Sequence, residues 1–134
     1  MSSNYLLDTN TASYVIKGNI PAVRARLVRI PVRQVFISSV SEGELRYGVA
    51  RKPGATKWQH AVEEFLLRMA VLSWDSSVAK VYGDLRANLE RLGQPMGALD
   101  MMIGAHALAV DAILVSNDRA FTRINGLKVE DWTV

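Results

Sequence analysis

Asp8, Glu44, Asp100 and Asp118 are carboxylates set among apolar or small neighbours, at points where the local pattern changes. Asp8 closes the run Tyr5-Leu6-Leu7, and Asp118 follows Ile113-Leu114-Val115 through Ser116-Asn117. Glu44 comes shortly after Val35-Phe36-Ile37, and Asp100 sits within Gly97-Ala98-Leu99-Asp100-Met101-Met102-Ile103-Gly104. A buried charge in that last stretch costs on the order of several kcal/mol without a partner. The nearest basic residues, Arg91 and His106, are badly spaced for a helical pair with it. If the four acids converge, two unit charges ~4 Å apart repel by roughly 4 kcal/mol at an effective dielectric near 20. A divalent cation removes that penalty, and a sulfur-free, all-oxygen donor set selects Mg²⁺ or Mn²⁺ over zinc. Such an ion polarises a phosphoryl oxygen and acidifies a bound water, which is the chemistry of phosphodiester hydrolysis. Thr9, Asn10, Ser116 and Asn117 flank the acids and carry the hydroxyl and amide groups suited to orienting them.

Each acid also has a structural alternative. Asp8 before Thr9-Asn10, and Asp118 before Arg119 to Ile124, are good helix N-caps. Ser41 and Glu44 have the spacing of a capping box. Gly97 and Gly104, three before and four after Asp100, share its helical face and are expected to leave open space around it.

The elements that must position these groups are short. Tyr5-Leu6-Leu7, Val35-Phe36-Ile37, Val71-Leu72 and Ile113-Leu114-Val115 read as buried strands. Helical periodicity covers about Thr11 to Lys17, Ala22 to Val28, Glu42 to Ala50, Lys57 to Met69, Ser76 to Leu92 and Leu99 to Ala109. Lys57 to Met69 and Ser76 to Leu92 fit a helical hairpin, although Val71-Leu72-Ser73-Trp74 suggests a strand between them. Alternating strands and helices specify a parallel sheet between helical layers, with ligands expected at the carboxyl ends of the strands.

With 134 residues, 49% hydrophobic and 22% charged, the chain suits one domain spanning 1–134. Zero cysteines exclude a disulfide scaffold, a thiolate zinc site and a cysteine nucleophile, and point to a reducing, cytoplasmic setting. No apolar run approaches the ~20 residues of a membrane span, and Met1-Ser2-Ser3-Asn4-Tyr5 lacks the features of a secretory signal. A net charge of +3 permits a nucleic-acid partner. Arg24, Arg26, Arg29, Arg46, Arg51 and Lys52 are candidates to line a groove for phosphates. Glycine-rich nucleotide loops and the serine-hydrolase elbow are missing, and Asp8-Thr9-Asn10 is not the D-x-D of haloacid-type phosphatases. His60 and His106 lack metal-ligand spacing, and Trp58, Trp74 and Trp132, with Phe36, Phe65 and Phe121, suit core or interface better than base stacking.

Four blocks in order resemble the PIN-domain ribonucleases, and within them the VapC toxins of bacterial toxin–antitoxin pairs. They are Tyr5-Leu6-Leu7-Asp8-Thr9-Asn10; Ile37-Ser38-Ser39-Val40 with Glu44-Leu45 and Tyr47-Gly48; Pro95-Met96-Gly97 through Asp100 to His106-Ala107; and Val115-Ser116-Asn117-Asp118 with Phe121, closing at Trp132. Ser116 stands where Thr is frequent in the family, and Ala120 where many relatives carry an acid. The resemblance implies a three-layer α/β/α domain around a mainly parallel sheet of about five strands. It also implies a Mg²⁺- or Mn²⁺-dependent endoribonuclease with Asp8 and Asp100 as metal ligands and Glu44 and Asp118 completing the pocket. The expected substrate is structured RNA, often the anticodon loop of initiator tRNA, so that translation stops. The expected partners are a second copy of the chain and a VapB-type antitoxin that threads a segment into the pocket. The competing reading is a catalytically silent α/β module that binds RNA or protein while its acids cap helices.

Overall fold

In a computed structural model, which describes residues 3–134, four apolar runs and a short C-terminal one form a wholly parallel sheet. In chain order the elements are β1 (Tyr5–Leu7), α1 (Thr9–Lys17), α2 (Pro21–Leu27), β2 (Val35–Ser38), α3 (Ser39–Ala50) and α4 (Thr56–Arg68). There follow β3 (Ala70–Leu72), α5 (Ser76–Arg91), α6 (Ala98–Ala109), β4 (Ile113–Val115) and β5 (Val129–Glu130). The strands lie in the order β3-β2-β1-β4-β5, so β1 is central: Leu6 pairs with Phe36 on one side and with Leu114 on the other.

Alternation along β1 builds the layers. Leu6 packs into one core with Leu114, Val78, Leu89, Ile103 and Phe121, beneath α5 and α6. Leu7 packs into a second core with Ile37, Val115, Val62, Phe65 and Trp132, beneath α1, α2 and α4. Strands covered on both faces need apolar residues at consecutive positions, which is why these runs are unbroken rather than alternating.

Three expectations change. The third helix starts at Ser39, because the hydroxyl of Ser38 caps it by accepting from the Val40 amide at 3.1 Å. Ser41 and Glu44 therefore lie inside α3 and are not a capping box. The hairpin reading gives way to β3, which separates α4 from α5. Gly104 does not open space beside Asp100: a β-carbon there would fall 2.5 Å from Ile124 Cδ1 and 3.6 Å from Phe121 Cδ1. That glycine lets α6 close onto the 3-10 turn Arg119–Arg123. Gly97 behaves as expected, since its β-carbon would face Asp100 Oδ2 at 3.9 Å. Gly104→Ala is accordingly predicted to cost about 1–3 kcal/mol by overpacking, read as a lower urea midpoint at an unchanged slope.

Candidate active site

The strands β1, β2 and β4 end at one edge of the sheet, and the order of connection reverses between β1 and β4, the place where open parallel sheets hold ligands. Asp8 is the first residue past β1. Its amide donates to the Val115 carbonyl at 3.1 Å, and its carboxylate accepts from the Thr11 amide at 2.8 Å. Asp8 thus caps α1, yet it is only 4% exposed and forms the floor of the site. Burial pushes its carboxyl above the ordinary range, hydrogen bonds from Ser116 and Thr11 pull it back, and the charge of Asp118 pushes it up again.

Glu44 projects from α3 and accepts a hydrogen bond from the Thr9 hydroxyl, which also lies 3.0 Å from Ser41 Oγ. Asp118 is exposed, caps the 3-10 turn by accepting from the Ala120 amide at 2.9 Å, and is itself held by its amide donating to Ser116 Oγ at 3.0 Å. Asp100 stands half-buried in the first turn of α6. Its carboxyl is raised first by burial and then by the charges of Asp118, Asp8 and Glu44. Groups separated by up to 110 positions in sequence, Asp8 and Asp118 being the extremes, thus share one bowl.

Among the described residues no cation forms an ion pair with any of the four acids: the ion pairs join Arg26 to Glu130, Arg46 to Glu42, Arg68 to Glu64 and Arg86 to Glu90. The donor set is carboxylate oxygen alone. Among the described residues no three acidic or histidine side chains close around a point by themselves. A hard ion that keeps several waters needs only one or two carboxylates, so the open spacing fits such an ion better than one fully caged by protein.

Of the flanking polar groups, Thr9 and Ser116 touch the acids, whereas Asn117 turns to the Tyr14 hydroxyl at 3.4 Å and Asn10 is exposed. Sequence spacing gave too little weight to His106. It is buried, with Nδ1 2.8 Å from Ser38 Oγ, and burial holds its ring below the usual imidazole range against the opposing pull of Asp75. Trp74 adds two ties, its indole donating to the Met102 carbonyl at 2.9 Å and its amide to Ser39 Oγ at 3.1 Å. Together they lash α6 to the β2–α3 junction and set Asp100 across from Glu44. A polar ring six residues after Asp100, in an otherwise apolar helix, was the available clue.

The fold that carries these acids is that of a known class. The chain belongs to the PIN-domain family, whose sequence pattern matches residues 5–127. Within that class it is similar to VapC proteins. It is 37% identical over 130 residues to the tRNA(fMet)-specific endonuclease VapC of Shigella flexneri, covering 96% of this chain and 98% of that one. It is 33% identical over 129 residues to ribonuclease VapC2 of Haemophilus influenzae, covering 96% and 97% respectively. Among solved structures, the DNA-bound VapBC of Salmonella typhimurium superposes with a TM-score of 0.90 at 36% identity, covering 98% of this chain and 99% of that one.

Proposed function

We propose that this chain is a divalent-metal-dependent endoribonuclease, the toxin of a toxin–antitoxin pair, which cuts structured RNA in the cytoplasm and so halts translation. The observation that carries this reading is the uncompensated bowl of Asp8, Glu44, Asp100 and Asp118. The relatives named for RNA cleavage support it, and the one named for tRNA(fMet) makes the anticodon loop of initiator tRNA the first substrate to try. Mg²⁺, with Mn²⁺ as a substitute, is the ion this donor set suits.

Asp8 and Asp100 would hold that ion, with Glu44 and Asp118 at its edge. When bound, it supplies a Lewis acid and an acidified water for attack on phosphorus. The protein's own part is positional. Thr9 fixes the Glu44 carboxylate, the Thr11 amide and Ser116 fix Asp8, and the His106 and Trp74 ties keep α6 in place. Thr9 and Ser116 thereby restrict rotamer freedom that would loosen the bowl. Solved VapBC complexes among the relatives support a VapB-type antitoxin as partner, one that would bring its own positive charge to the acids. A homodimer is proposed alongside, to be read by light scattering.

The direct test incubates purified protein with total RNA and with initiator tRNA, in Mg²⁺ and in EDTA, beside Asp8→Ala. Cleavage that requires both the ion and Asp8 is expected, and cleavage indifferent to either would sink the proposal. Asp118 is separable by choice of substitution. Asp118→Asn keeps the acceptor for the Ala120 amide but removes the charge, so cleavage at limiting Mg²⁺ should fall by ~10-fold or more with no change in melting temperature. A silent Asp118→Asn would leave that residue as a cap only.

A further inference from the structure

Glu44 and Thr9 belong to two surfaces at once. On one side they bound the acidic bowl, and on the other they open into a cavity of about 390 Å³ between α1, α3 and α4. Its other walls include Lys17, Arg51, Lys52 and Trp58. These cations have no carboxylate partner among the ion pairs of the described residues. Aromatic rings support two of them instead: Lys17 Nζ sits 5.8 Å from the Trp58 ring and the Arg51 guanidinium 5.5 Å from the Tyr47 ring. A ring positions a cation without cancelling its charge, so the cavity stays positive. Of the other four arginines expected to line a groove, Arg29 is exposed and outside the cavity, and three are differently employed. Arg46 is paired with Glu42 and Arg26 with Glu130, while Arg24 lies in a separate hollow beside α2.

Helix α3 is shaped for this cavity. Gly48, one turn beyond Glu44, lines it, and a β-carbon there would meet nothing within 4 Å. Gly48 lies in the last turn of α3, so a side chain added there would occupy the open space of the cavity without a clash at its β-carbon. Polyanionic RNA approaching four carboxylates is repelled unless positive charge stands close by, and here it stands on the same side chain's other flank.

Resting on the ribonuclease reading, we propose that the Lys17–Arg51–Lys52 cavity binds a backbone phosphate of the RNA next to the one that is cut, and thereby sets the strand across the bowl. Contacts of this type position a strand without reading its bases.

Binding of a short fluorescent single-stranded RNA in EDTA, where the strand stays intact, tests this across a salt series. Lys17→Ala/Arg51→Ala should weaken binding ~10-fold or more for unrelated sequences alike and flatten the log Kd against log salt slope by about 1.4, two contacts at ~0.7 each. Gly48→Leu, which fills the cavity without touching a charge, should raise KM for cleavage in Mg²⁺ with kcat at saturation held. Lys80→Ala, an exposed cation on α5 outside the cavity, should change neither. Unchanged affinity and slope in the double variant, with Mg²⁺-dependent cleavage intact, would overturn the phosphate site and spare the nuclease. Weakened binding in a protein that never cuts RNA would do the reverse.

Discussion

Asp100→Asn is expected to lower kcat for RNA cleavage by at least ~100-fold while leaving the metal-free fold as stable as the parent or more so. The two halves of that result have one cause. Asp100 is raised by burial and by three neighbouring acids, so its charge works against the folded state when no cation offsets it. The direction with pH follows. Asp8 and Asp100 both titrate above their ordinary value of 3.8, so between that value and their raised pKa the folded chain binds more protons than the unfolded one. The stability they contribute is present below 3.8 and is lost as pH rises through the folded pKa. Thermal melts in EDTA from pH 4 to 7 should fall with rising pH, and Asp100→Asn should flatten part of the fall. Solvent screens the half-exposed Asp100, so the gain is small. A marked loss of melting temperature in Asp100→Asn would instead make that carboxylate a structural group.

Adding Mg²⁺ or Mn²⁺ to the parent is expected to raise its melting temperature by roughly 10 °C at a hundred times the dissociation constant. That figure combines about 2.7 kcal/mol of linkage with roughly 3–5 °C per kcal/mol for a domain between the usual size classes. EDTA should reverse it, and Asp100→Asn should abolish most of it. Ca²⁺, a hard ion of larger radius, should stabilise less, because it seeks more protein oxygens than this open set offers. A shift of equal size in the Asp100→Asn protein would place the ion elsewhere.

The parts of the fold legible in the sequence were those where local pattern and burial agree. Ile113-Leu114-Val115 and Tyr5-Leu6-Leu7 are unbroken apolar runs because both faces are covered, and the structure has strands over these same residues. Val129–Glu130 was not legible: two half-buried residues carry no periodicity, and the strand exists only because β4 offers it a free edge. Asp8, Asp100 and Asp118 were legible because each stands near a strand end or a helix start, whereas Glu44 lies inside α3, which begins earlier than its pattern suggested. The competing reading of Asp8 and Asp118 as caps was no error either, since both do cap the turns that follow them. One residue does both jobs, and type and spacing cannot rank them. Gly104 was misread because helical spacing told which face it shares with Asp100 but not what lies opposite, which is Ile124 from elsewhere in the chain. Lys17 and Trp58 meet only through the packing of α1 and α4, so nothing in either segment announced their cavity.

The central position of β1 has a bearing on when the acidic site can first exist. Residues made first, Leu6 and Leu7, need Leu114 and Val115 beside them, and the Thr11 hydroxyl reaches the Val115 carbonyl across 104 positions of chain. A chain still emerging from the ribosome lacks the second half of its own centre strand pairing, and with it both Asp118 and the seat of Asp8. The acidic site therefore cannot assemble until nearly the whole chain has been made.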